Sequence, residues 1–149
     1  MIATAISNAL LNAFFARGDS NPAIPTAEEC YLGVSTTTPT LSAAGAITNF
    51  TEPGAATGYK RVRLGIKGNT ATYTMDAAAS GEIKNGSNKI YIATAVEGGG
   101  GFGTVTHFGL FSAQTGGAPV MAGALTTPVT VPEGNTLLIY ENNLKVSME

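Results

Sequence analysis

From Pro22 onward the chain breaks into short runs of β-branched and aromatic residues, each cut off by Gly, Pro or Asn. Runs of strand length between turn formers leave little room for helices and point to an antiparallel β-sandwich or barrel. "CYLGVS", "YKRVRLG", "NTATYTM", "KIYIATAV" and "TVTHFGLFS" read as strands, the last apolar on both faces. Downstream, "PVMAGAL", "PVTV" and "TLLIYENNLKVSM" are set off by the turn formers "TGGA" and "PEGN". Asn142-Asn143 is suited to a tight hairpin turn. In the last strand Leu144, Val146 and Met148 alternate with Lys145, Ser147 and Glu149, one side for the core and one for solvent.

The segment before Pro22 has a different texture. Ile2, Ile6, Ala9, Leu10, Ala13 and Phe14 recur at helical intervals, and Arg17-Gly18 suits a helix C-terminus. The expectation is one N-terminal α-helix over residues 1–18, followed by a single domain over 19–149. Leu11 and Phe15 lie off the main stripe, so the helix is expected to dock on its own domain and on a neighbour. Residues 36–58, polar and rich in small side chains, are too long for a turn and are expected to form a second contact arm. The fold class is therefore mainly β, an antiparallel sandwich of jelly-roll type with that one helix.

Only 12% of the 149 residues are charged, about half of what a soluble domain usually carries. A surface so poor in charge is weakly protected against association, which suggests that other subunits cover much of it. A net charge of −2 gives no reason to expect nucleic acid or an acidic membrane as a partner. The apolar start lacks the basic n-region of a signal peptide and falls short of a membrane span, so synthesis in a cytoplasm is expected. The sequons at Asn49 and Asn85 then carry no meaning.

The motifs that could carry chemistry are few. Gly98, Gly100 and Gly103 fit GxGxxG, but a dinucleotide loop needs a helix after it and an acid about 20 residues on. Here a strand follows and the next acid is Glu133, so the glycines read as a turn between strands. "RGDS" at 17–20 is read as a helix cap. Cys30 and His107 are the lone cysteine and histidine, which excludes a zinc cluster built from them and leaves only a Cys–His dyad, disfavoured because Cys30 sits in an apolar strand. Acids such as Asp76, Glu82 and Glu97 are scattered singly; an envelope hydrolase would have to work through Glu97, Glu133 or His107. No cofactor is expected. Lys60, Arg61, Arg63 and Lys67 form the one basic concentration, and alternation places Tyr59, Arg61 and Arg63 on one face. That row either clasps carboxylates of an adjacent subunit or is a solvated strand face, and scarcity of charge elsewhere favours contact.

Four segments together resemble a family of small bacteriophage virion proteins, the tail-fibre or head-decoration proteins. They are "AISNALLNAFFARG", "YLGVSTTTPT", "ITNFTEPGAATGYKRVRL" and "GTVTHFGLFSAQTGGAPVMAGALTTPVTVPEGNTLLIYENNLKVSM". Phe102 stands where that family often has tryptophan. The resemblance implies a non-enzymatic β-sandwich that assembles into small symmetric oligomers, trimers in the first instance, and joins the capsid or tail of a virion. Expected subunit contacts are Ile6, Leu10, Leu11, Phe14, Phe15, Tyr59, Arg61 and Arg63. The other reading is a receptor-binding module for host-surface carbohydrate, for which Tyr59, Tyr73, Tyr91 and Tyr140 are the available aromatic platforms.

Overall fold

The computed structural model describes Ile2, residues 29–66, Asn69, Ala71, and residues 74–80 and 82–147. The strands are β1 (Glu29–Ser35), β2 (Thr40–Leu41), β3 (Ile47–Thr48), β4 (Val62–Ile66), β5 (Glu82–Lys84), β6 (Ile90–Thr94), β7 (Gly103–Phe111), β8 (Met121–Val131), β9 (Thr136–Ile139) and β10 (Lys145–Ser147). A four-stranded sheet in the order β4-β1-β7-β8 is joined by three two-stranded ribbons, β10-β5, β2-β3 and β6-β9. Every pairing is antiparallel.

The core forms where the sheet and the β6-β9 ribbon pool their apolar side chains. Leu32 and Val34 of β1, Leu64 of β4, Val105 of β7 and Val131 of β8 pack with Ile90, Ile92, Leu137 and Leu144 in one buried cluster. Residues of one strand parity thus supply one face, as pleated geometry requires. Phe102 is buried in the same cluster, its ring meeting Tyr59 edge to face at 5.8 Å. The other face of the sheet is also covered, because the 36–58 connection folds back over β1 and β7. Gly33 and Gly109 are cross-strand partners there. A β-carbon on Gly109 would come within 2.7 Å of the Phe50 ring, and one on Gly33 within 2.8 Å of Phe111 and 2.9 Å of Glu52 Oε1. The bare backbone of that glycine pair is what lets Phe50, Phe111 and Glu52 settle onto the sheet.

Two parts of the expected fold class are corrected. Among the described residues there is no α-helix; the one helical turn is a 3-10 turn at Ala55–Thr57, closed by Gly58 at φ 83°. Ile2, expected in the N-terminal helix, instead forms an antiparallel bridge with Met121, the conformation of an extended chain on the free side of β8. The remainder of that expected helix lies outside the described residues. Among the described residues the β elements are those of a four-stranded sheet with ribbons, in place of the two four-stranded sheets of a jelly roll. The pairing at Asn142 shows why. Asn142 takes the expected positive φ, 59°, but β9 leaves it to pair with β6 and β10 to pair with β5, so the turn joins two ribbons and closes no hairpin. "PVMAGAL" and "PVTV" merge into the single strand β8, whose register against β7 shifts between Val105 and His107. None of the helices among the described residues is long and apolar enough to cross a membrane.

Candidate functional site: a clasp beneath an open cleft

On the covered face, the 3-10 turn and the start of β4 bring Glu52, Tyr59 and Arg61 together. Arg61 grips the Glu52 carboxylate with two bonds, Nε to Oε1 at 2.9 Å and Nη2 to Oε2 at 2.7 Å. Its Nη1 donates to the carbonyls of Ala113 at 2.9 Å and Gly116 at 2.8 Å. The guanidinium lies 3.4 Å from the centroid of the Phe111 ring, which Phe50 meets edge-on at 5.4 Å. Tyr59 donates to Glu52 Oε1 at 2.9 Å and accepts from the Val34 amide at 2.9 Å. One cation therefore ties three chain segments, the arm, β4 and the 112–117 bend, through charge-assisted bonds with fixed planar geometry. Burial pushes the Tyr59 hydroxyl well above its usual value, with smaller contributions from its neighbours.

Above the clasp opens a cleft of about 290 Å³, lined by Glu52, Tyr59, Lys60, Arg61, Gln114 and Thr115 among others. The carboxylate already accepts from Arg61 and Tyr59, and among the described residues no group of three or more His, Cys, Asp and Glu is placed to hold a metal.

The expected outward row is corrected at this point. Alternation does put Arg61 and Arg63 on one face, but Arg61 is only 6% exposed because the arm and the 112–117 bend cover it. Tyr59 is half-buried against the core. Arg63 alone faces solvent, in a 3.2 Å pair with Glu29 that contributes little at such exposure. Glu29 also accepts from the Tyr31 hydroxyl at 2.6 Å, a bond that raises the Tyr31 pKa. Ile6, Leu10, Leu11, Phe14 and Phe15 lie outside the described residues, as does Tyr73.

The other sequence candidates separate. His107 pairs opposite Ser35, at the far end of β1 from Cys30. At ~3.4 Å per residue that is about 17 Å along the strand, so no dyad forms. His107 Nδ1 bonds the Thr106 hydroxyl at 2.8 Å, and burial raises the Cys30 thiol pKa. The glycine-rich loop does gather amides as an anion cradle would, with Gly98, Gly100 and Gly101 at φ of 77°, 87° and 72°. The anion it holds is internal: Glu133 accepts from the Gly100 amide at 2.7 Å and from the Gly98 amide at 3.2 Å. Glu97 is exposed on the same loop.

Two anchors escaped sequence reasoning. Glu52 sits in a polar stretch and gave no periodic signal. Asn85 registered only as a sequon, yet its side chain is fully buried. It donates to the carbonyls of Asn88 at 2.6 Å and Tyr140 at 2.9 Å and accepts from the Leu144 amide at 3.0 Å. "NG" after a strand signals a turn; nothing local signals that the amide reaches the β9-β10 connection.

A family model described as podophage GP4 fiber I protein gp80 matches residues 1–147. No curated protein matches the chain.

Proposed function

Because the chain belongs to this podophage fiber protein family, we propose that it is a non-enzymatic structural subunit of a phage particle, built into the tail as a fibre component through contacts with copies of itself and with other virion proteins. The observation that carries this reading is the family match over 1–147, and the sparse charge of the chain supports it independently. The assembly is a homotrimer. Ile6, Leu10, Leu11, Phe14 and Phe15 supply its apolar contacts and Arg63 a rim contact, while Tyr59 and Arg61 act from behind by holding the 36–58 arm in place. Leu41 on that arm, 48% exposed at the β2-β3 hairpin, is the kind of side chain such a contact would cover.

Light scattering coupled to size exclusion tests the proposal on the purified chain. A mass of three protomers at micromolar concentration is the expected result; a stable monomer there would refute assembly through its own copies. Immunogold labelling of the particle then distinguishes tail from head.

A further inference from the structure

We infer that Asn85-Gly86 is a deamidation site held shut by the fold, one that converts only in chains whose 85–88 turn has come away from the β9-β10 connection. It is the one Asn-Gly dipeptide in the sequence, and the fold demands both residues. Asn85 is fully buried because its side chain ties the turn to that connection, donating to the Asn88 and Tyr140 carbonyls and accepting from the Leu144 amide. Gly86 follows it in a turn closed by the Asn88 amide on the Asn85 carbonyl at 2.8 Å. Its φ of 46° lies in the left-handed region, and a β-carbon there would strike the Asp76 carboxylate. Structural need has thus set a carboxamide beside an unhindered backbone nitrogen, the two groups that react with each other.

In an opened chain the Gly86 nitrogen, its proton lost to hydroxide, attacks Cγ of Asn85. The N–Cγ bond forms, the Cγ–Nδ2 bond breaks, and Nδ2 leaves as ammonia after taking a proton from water. Water then opens the resulting succinimide to Asp or isoaspartate, so one water enters, one ammonia departs and nothing is oxidised or reduced. In the folded chain neither water nor hydroxide reaches the side chain, and the carboxamide cannot swing towards the Gly86 nitrogen without breaking its three bonds. The backbone is pinned as well: Asn85 N–H donates to the Leu144 carbonyl at 3.2 Å and Asn142 N–H to the Gly86 carbonyl at 2.9 Å. Turn and connection must therefore part before the reaction starts, a local opening of the kind that exposes single amides to exchange.

Conversion is also a one-way exit from the fold. Aspartate at position 85 would turn an oxygen, where Nδ2 had been, onto the carbonyl oxygens of Asn88 and Tyr140, acceptor against acceptors, and would bury a charge with no cation beside it. Isoaspartate lengthens the main chain inside the turn. A chain that has once opened for long enough is thereby marked and kept from returning.

Peptide mass spectrometry of the full-length chain, incubated in mildly alkaline buffer with and without unfolding urea, tests the inference. Conversion of Asn85 should be about a hundredfold or more slower in the folded chain. Below the unfolding midpoint its rate should follow hydrogen exchange of the Leu144 amide. In urea, Asn85 should outpace the exposed Asn135 and Asn142, whose following residues carry a β-carbon, and Gly86→Ala, compared there because folding no longer matters, should be severalfold slower. Converted chains should stay unfolded when urea is diluted out. A folded-state rate within a few-fold of the urea rate overturns the inference, as does a rate indifferent to Leu144 exchange, or an Asn85 in urea no faster than Asn142. Refolding of converted chains to the wild-type midpoint overturns the one-way exit.

Discussion

Arg61 and its neighbours set what single substitutions do. Arg61→Ala leaves the Glu52 carboxylate with the Tyr59 hydroxyl but no cation, and takes a donor from the Ala113 and Gly116 carbonyls, so a loss of about 3 kcal/mol is expected in urea unfolding. Arg61→Lys should recover only part of it, since an ammonium cannot grip a carboxylate with two parallel bonds while stacking on Phe111. Tyr59 gives a pH signature. Its hydroxyl pKa is raised in the folded chain above the ordinary 10.0, so the stability it contributes is complete below pH 10 and declines as pH rises above that value. Over that range the decline is about 1.4 kcal/mol per pH unit. Tyr59→Phe should cost about 1 kcal/mol at neutral pH, from the hydrogen bonds to Glu52 and Val34, and should flatten the alkaline slope relative to wild type. Urea melts between pH 9 and 11.5 measure both. At Asn85, Asn85→Ala removes the side-chain partner of the Leu144 amide and of the Asn88 carbonyl, and one of two donors to the Tyr140 carbonyl; a loss of about 2–4 kcal/mol is expected from the same measurement.

At the scale of elements, the glycine pair between β1 and β7 and the loop clamped by Glu133 are the sensitive points. Gly109→Ala should destabilise by about 1–3 kcal/mol through overpacking against Phe50, although an alanine suits a strand better by propensity alone. Glu133→Ala should speed hydrogen exchange at the Gly98 and Gly100 amides by roughly tenfold without moving the unfolding midpoint much. These elements also mark where sequence stops being informative. Strands β1, β6, β7 and the β8–β9 region were legible because alternation and turn formers are local signals. Hidden were the pairings, since Asn142 announces a turn without saying that β9 and β10 separate onto different ribbons. Equally hidden was the destination of the outward face: Tyr59, Arg61 and Arg63 alternate as expected, but whether a face meets solvent depends on residues 36–58 returning from a distance to cover it. Of the clasp, sequence showed the cation and missed its anion, because Glu52 earns its role only by tertiary placement. N-terminal periodicity suggested a helix, whereas the Ile2 bridge to Met121 follows from an open strand edge that no local pattern can reveal.

For the molecule as a whole, scarce charge predicts how the proposed assembly would respond to solvent. If apolar side chains make its contacts, these are little screened by salt, so the oligomeric mass should be unchanged between 50 and 500 mM salt, while replacing Phe14 and Phe15 together by Ser should yield monomers; light scattering reads both. The 112–117 bend has a separate consequence. Arg61 fastens it through the carbonyl oxygens of Ala113 and Gly116 and through no side chain of the bend. Gln114 and Thr115 between them are exposed. Anchorage that reads only main chain leaves the lettering at those two positions open, which makes them a natural port for grafting an epitope or fluorophore outward from the protein without loosening its own framework.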